Sequence, residues 1–130
     1  MHDSLDDLLL RRWQQFSIEV KSLMQGSSDT LGEATPPEES GVYVLFDEYT
    51  TISYVGVAVN LRDRLHKHIS GDESHAIQRA YEDRFPDRTE RRDFIKCNVR
   101  AKWLLVRDRH KAADFERLLI WLFQPLWNRQ

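Results

Sequence analysis

The stretch that most restricts what this chain can fold into is residues 41–68, GVYVLFDEYTTISYVGVAVNLRDRLHKH. Val42–Phe46 and Ile52–Val59 are rich in β-branched and aromatic side chains and are bounded by turn residues, so they predict two strands. Only the polar Asp47-Glu48-Tyr49-Thr50-Thr51 lies between them, short enough to be a hairpin loop. Asn60 then offers a side-chain cap, and Leu61, Leu65 and Ile69 recur at every fourth position as the buried stripe of a helix. Arg64 and His68 are also four apart and share a face beside Leu61. Two tyrosines, Tyr43 and Tyr54, thus sit on paired strands, with an arginine and a histidine on the next helix. One pocket could receive all four.

The flanks complete the architecture. Leu5, Leu9, Trp13, Phe16, Val20 and Leu23 step by fours and threes, which predicts an amphipathic helix from about Ser4 to Met24, capped by Ser4 and favoured by Asp6 and Asp7 at its start. Its stripe either packs on the core or meets a partner, a second copy of the chain or another protein. Gln25–Ser40 is rich in Gly, Ser, Thr, Pro and Glu and reads as a linker. Glu73–Arg84 is a second short helix, ended by Phe85-Pro86, and Asp87–Lys96 is dense in charge. From Asn98 the pattern alternates, with Val99, Ala101, Trp103 and Leu105 on one side and Arg100 and Lys102 on the other, as in a third strand. Asp108-Arg109-His110 is a turn, and Lys111–Phe123 the last helix. This order predicts an α+β fold with a small three-stranded antiparallel sheet flanked by helices. Residues 1–40 form an N-terminal helix and linker, and 41–130 the main domain.

Composition narrows the class. A chain of 130 residues with 41% hydrophobic content suits one domain with a real core. Cys97 is the single cysteine, so internal disulfides and cysteine-rich zinc clusters are excluded and a reducing, cytoplasmic setting is expected. The longest apolar runs fall far short of the ~20 residues that cross a bilayer, so no membrane is expected. The acidic start lacks the features of a signal peptide. Net charge is −2, yet it is unevenly placed. Residues 1–59 carry three basic and ten acidic side chains, whereas 60–111 carry fourteen basic and nine acidic ones. A basic middle suits a phosphate backbone, and equally the solvated surface of mixed-charge helices. Arg62, Lys67, Arg88, Arg91, Arg92, Arg100 and Lys102 are its candidate nucleic-acid contacts.

Glu116 is the most informative candidate for chemistry. On the helical wheel it lies among Ala112, Phe115, Leu119, Ile120 and Phe123, where a carboxylate is costly unless it is paired with an arginine or holds a metal. Arg64 could present a two-pronged fork to a phosphate, and His68 could exchange a proton near neutral pH, although each is also an ordinary structural residue type. His66 and His68 are two apart and point apart, so they cannot share one ion. His75, Cys97 and His110 have no ligand spacing, no glycine-rich phosphate loop is present, and serine or cysteine hydrolase signatures are lacking.

Gly41-Val42-Tyr43, Tyr54-Val55-Gly56, Arg64 ten residues on, and Glu116 with Asn128 twelve residues later together resemble the GIY-YIG nuclease family. The resemblance covers about the last two-thirds of the chain. It implies a DNA endonuclease using one divalent ion, Mg²⁺ or Mn²⁺, on Glu116. It further implies a catalytic set of Tyr43, Tyr54, Arg64, His68, Glu116 and Asn128. In that set Tyr43 is the base or positions water, Tyr54 orients the phosphate or backs up Tyr43, and Asn128 holds the architecture. One departure stands out: Val57 occupies a place where the family often has lysine, and Arg62 and Lys67 lie away from Arg64 on the wheel. The alternative expectation is therefore a weakly active or inactive module of the same fold that binds nucleic acid or a protein.

Overall fold

All six residues of Gly41–Phe46 are buried, and this strand sets the architecture. Its side chains alternate, so a strand buried throughout requires a layer on each face of its sheet. The computed structural model describes residues 4–71 and 75–129 and has this arrangement. Four antiparallel strands, β1 (Asp29–Thr30), β2 (Gly41–Phe46), β3 (Ile52–Ala58) and β4 (Arg100–Leu105), lie in the order β1-β4-β2-β3. Val42, Val44, Phe46 and Val55 meet Phe16 and Leu23 of α1 (Leu5–Met24) and Phe115 and Leu119 of α5 (Arg109–Phe123). On the other face Tyr43, Leu45 and Ala58 meet Leu61 and Leu65 of α2 (Leu61–Ser70), Ile77 of α3 (His75–Glu82) and Ile95 of α4 (Arg88–Asn98). A short 3-10 helix, Leu126–Arg129, closes the chain and buries Trp127 in this second core. No described helix is long and apolar enough to cross a membrane.

The sheet has four strands where the pattern predicts three. The additional β1 lies within Gln25–Ser40, which composition reads as a linker. Two paired residues are too few to leave a period in the sequence. The segment nevertheless packs: Leu31 is 4% exposed, and Leu31 and Gly32 donate their amides to the Val99 and Lys96 carbonyls. Its end is fastened too, with Ser40 Oγ donating to the Val106 carbonyl at 2.8 Å and the Leu61 amide to the Glu39 carbonyl. α4 occupies the charge-dense stretch after Asp87, whose side chain caps the Glu90 amide. Ile95 is its one fully buried side chain, so its periodicity is faint. Asp108 accepts the His110 and Lys111 amides, so the final helix starts at Arg109 rather than at Lys111. The short helix α3 begins at His75, and the earlier part of its predicted span, Glu73 and Ser74, lies outside the described residues.

The stripe of α1 is used over half its length. Phe16 and Leu23 are buried, while Leu5, Leu9 and Trp13 are 69%, 51% and 51% exposed. Trp13 instead lies 6.3 Å from the ring of Trp121, itself on the outer part of α5. Leu23→Ala should therefore cost about 2–5 kcal/mol by leaving a cavity, whereas Leu9→Ala should change stability by no more than about 0.5 kcal/mol. Urea unfolding of the two variants checks this; equal losses would mean that the N-terminal half of α1 is buried as well.

Candidate active site

β3 is an edge strand, and the amides on its free side need partners from elsewhere. The C-terminal elements supply them. Asn128 accepts the Val55 N–H at 2.8 Å through Oδ1 and donates Nδ2–H to the Val55 carbonyl at 2.8 Å, as a neighbouring strand would. Two residues along, the Val57 N–H favours the charged form of the Glu116 carboxylate. Glu116 comes from α5 on one face of the sheet, and the tyrosines stand on the opposite face. Only at an open edge can a side chain reach round from one layer to the other.

Tyr43 is directly opposite Gly56 in the β2–β3 register. Its phenol lies across the β3 backbone so closely that a Cβ on Gly56 would be 2.5 Å from the hydroxyl oxygen and 2.6 Å from Cζ. A side chain of any size is excluded there. The hydroxyl ends 2.6 Å from Nε2 of His68, which is 2% exposed. Tyr54 shares the face of Tyr43; the two phenol rings are 6.1 Å apart, and the imidazole is 5.4 Å from each. Arg64, one turn before His68 on α2, acts electrostatically on Tyr43, Tyr54 and His68, and Glu116 acts on both tyrosines. The structure thus brings Tyr43, Tyr54, Arg64, His68 and Glu116 to one end of the hairpin, with Asn128 behind β3.

Burial fixes the charge states. It is the main reason that the Tyr43 phenol is held well above its ordinary range, with Tyr54 and Glu116 pushing the same way and Arg64 opposing. Burial, then Glu116, also raises Tyr54, against Arg64 and a hydrogen bond with Tyr43. Burial and then Arg64 push His68 down to about 3. Glu116 is raised by burial, opposed by Arg117 and the Val57 N–H. At neutral pH the pocket therefore holds uncharged phenols and an uncharged imidazole beside one guanidinium and one half-buried carboxylate. Among the described residues no three His, Cys, Asp or Glu side chains gather as a metal cluster. A single partly desolvated carboxylate, with phenol oxygens nearby, suits a hard cation such as Mg²⁺ that keeps most of its waters and takes the rest of its shell from substrate. The placement of Glu116 at the margin of the core, rather than deep in it, leaves room for such a shell.

The seven basic candidates do not gather beside this pocket. Arg92 donates to the Ser70 carbonyl through Nε at 3.0 Å, and Arg88 to the same oxygen at 3.3 Å, so both fasten the C-terminal end of α2. Arg91 binds Gln78 Oε1 at 2.7 Å and the Phe85 carbonyl at 3.1 Å. Lys102 reaches the Met24 carbonyl at 2.6 Å, and Arg100 the Ser28 hydroxyl at 2.8 Å as well as its carbonyl. Arg62 binds the Pro36 carbonyl at 3.1 Å and pairs with Glu38. Lys67 is half-buried on α2. Six of the seven thus tie loops and helix ends together, which charge counting could not foresee. Sequence reasoning also missed the Val55 and Val57 amides, whose only signal is the edge position of β3.

Comparison with known proteins follows the same outline. The family model of the GIY-YIG catalytic domain matches residues 39–130. The magnesium-bound N-terminal endonuclease domain of UvrC from Thermotoga maritima is 22% identical, with 85% of this chain and 94% of that one aligned and a TM-score of 0.49. An asparagine-to-alanine mutant of that domain, bound to its catalytic divalent cation, gives 22% identity, 85% and 93% coverage and a TM-score of 0.49. No curated protein sequence matches.

Two outcomes follow from the packing and charge states. Gly56→Ala should destabilise the protein by about 1–3 kcal/mol through overpacking, and by much less in a Tyr43→Ala background; thermal melts of the four-protein cycle measure the coupling, and additive effects would contradict the contact. Because His68 is neutral in the fold down to about 3 while an unfolded histidine takes its proton near 6.5, the unfolded state binds more protons between these values. Its contribution is fully present above about pH 6.5 and is lost as pH falls towards 3, by at most about 1.4 kcal/mol per unit. Urea midpoints measured from pH 7 to 4 should fall more steeply for the wild type than for His68→Gln; parallel curves would contradict the buried neutral imidazole.

Proposed function

The chain belongs to the GIY-YIG family, and from that premise we propose that it is a divalent-metal-dependent DNA endonuclease, with Tyr43, Tyr54, Arg64, His68 and Glu116 as its reaction centre and Asn128 as a positioning residue. The observation that carries the reading is the convergence of a carboxylate, a guanidinium and two phenols around the free edge of β3. Residues 41–130 form the nuclease unit in this proposal, preceded by the helix and approach of residues 1–40. The exposed N-terminal half of α1 is the face offered to a second copy or a protein partner. The lone Cys97 suits a cytoplasmic setting.

Hydrolysis of a phosphodiester needs an activated water, charge stabilisation on the phosphoryl oxygens and help for the leaving oxygen. Arg64 binds two phosphoryl oxygens through its fork and stabilises the charge that grows on them. Tyr43 and His68 act as a neutral dyad. As the water oxygen bonds to phosphorus, Tyr43, its hydroxyl held by the 2.6 Å contact with His68 Nε2, positions that water, and the water's proton passes out to solvent. This route never requires a free phenolate in a buried site. The P–O bond to the leaving oxygen then breaks, and that oxygen takes up a proton from solvent. Tyr54, more exposed than Tyr43, orients the phosphate from the neighbouring position on β3. Glu116 would hold the Mg²⁺ or Mn²⁺ ion, which when bound neutralises charge on the phosphoryl and leaving oxygens. Asn128 keeps β3, and with it Tyr54 and Gly56, in place.

A second reading, a module of the same fold that binds nucleic acid or a protein without cutting, is favoured by Val57 in place of the lysine of the family resemblance. One assay separates the two. Plasmid and branched DNA incubated with the protein and Mg²⁺ or Mn²⁺ should be nicked, and Glu116→Ala or Arg64→Ala should lower the rate by about 100-fold or more. A wild type that cuts no faster than Glu116→Ala on any of these substrates would remove the catalytic reading and leave the binding module.

A further inference from the structure

Beside the reaction centre, at the far end of the β3 edge, lies an open cleft of about 410 Å³. Three arginines line it: Arg64 from α2, and Arg107 and Arg109 where β4 gives way to α5. Val57, Val59 and Ala112 form an apolar floor. Arg109, Ala112 and Glu116 are spaced three and four apart and so share one face of α5. The cleft is therefore continuous with the reaction centre along that face, reaching about 10 Å from Glu116, and Arg64 borders both. Ala112, whose side chain ends at Cβ, leaves this space open.

The two outer arginines differ from the basic residues tied to backbone carbonyls elsewhere. Arg107 has a 92% exposed side chain, and its ion-pair partner Glu39 is 3.8 Å away and itself exposed. Arg109 makes no hydrogen bond or ion pair among the described residues. Both can turn their guanidinium groups into the cleft without leaving a buried group unpaired. A cationic wall over an apolar floor matches a nucleotide, which carries an anionic phosphate on a sugar and a flat base. A nucleic-acid strand places one charge per ~3.4 Å of its axis, so a phosphate next to the one held at Arg64 falls within this reach.

We propose that this cleft is the subsite for the nucleotide flanking the cleaved bond, with Arg107 and Arg109 holding its phosphate and Val57, Val59 and Ala112 meeting its sugar and base. The proposal rests on the nuclease reading and names how that site grips its substrate. Binding of a fluorescein-labelled branched DNA is measured by anisotropy in EDTA at several salt concentrations, so that no cleavage occurs. The double variant Arg107→Ala/Arg109→Ala should weaken binding at least tenfold and reduce the slope of log K against log salt by about 1–2. A control that removes the same charge from α1, Arg12→Ala/Lys21→Ala, should change affinity by less than about threefold. In cleavage assays the arginine pair variant should raise KM while kcat stays within a few-fold. An arginine variant that binds like the wild type, or loses no more than the control, overturns the subsite, as does a wild type that binds no DNA. Binding that depends on the pair in a wild type that never cuts would overturn the nuclease reading and leave the cleft as a nucleotide-binding site only; cutting that ignores the pair would overturn the subsite and keep the nuclease reading.

Discussion

The free edge of β3 is the constraint on which the site depends. A sheet with a helical layer on each face separates the side chains of its two sides. Here the phenols belong to one side and the carboxylate-bearing helix to the other. They can meet only where the sheet stops. An unpaired strand edge also has open amides, and the chain answers both needs with the same residues. Asn128 completes Val55, and the Val57 N–H favours the charge on Glu116. Closing the edge and assembling the pocket are one event, so the fold protects itself from edge-to-edge association at the place where it builds its chemistry.

Inside that frame the contact between Tyr43 and Gly56 decides the rest. The absence of a side chain at Gly56 lets the phenol lie flat over β3 and reach His68. Burial then keeps both partners uncharged, which leaves Arg64 and Glu116 as the two ionic groups of the pocket. A positive and a negative group at the mouth of an otherwise neutral, partly dry pocket suit a bound phosphate and a cation together, since each ionic group can find its counterpart in the ligands.

Much of this was legible because it is local or periodic. The hairpin, the Leu61-Leu65 stripe and the Tyr43-Tyr54 pairing follow from strand composition and spacings of four. The helical wheel marked Glu116 as a costly carboxylate, and the family motif joined it and Asn128 to the hairpin, a placement no spacing rule could give. What escaped was set by tertiary contact. β1 is two residues long, and α4 rests on one fully buried side chain. The stripe of α1 reads as continuous, yet the layer beneath it ends near Trp13, so its first turns stay exposed. Counting charges suggested a basic surface along residues 60–111, but carbonyls at helix ends and loops claim Arg62, Arg88, Arg91, Arg92 and Arg100. A sequence records that an arginine is present and not whether an unpaired backbone oxygen lies within its reach.

The central claim is spatial: Glu116, reaching round the β3 edge, shares one ion and one phosphate with Arg64 and Tyr43. A crystal structure of the protein soaked with Mn²⁺, with the anomalous signal of the metal mapped, tests it most directly. The account predicts one strong peak within about 2.2 Å of a Glu116 carboxylate oxygen, on the side facing Arg64 and the two phenols. A peak bound elsewhere with Glu116 unligated, or Glu116 engaged in an ion pair that leaves no room for a metal, would contradict it.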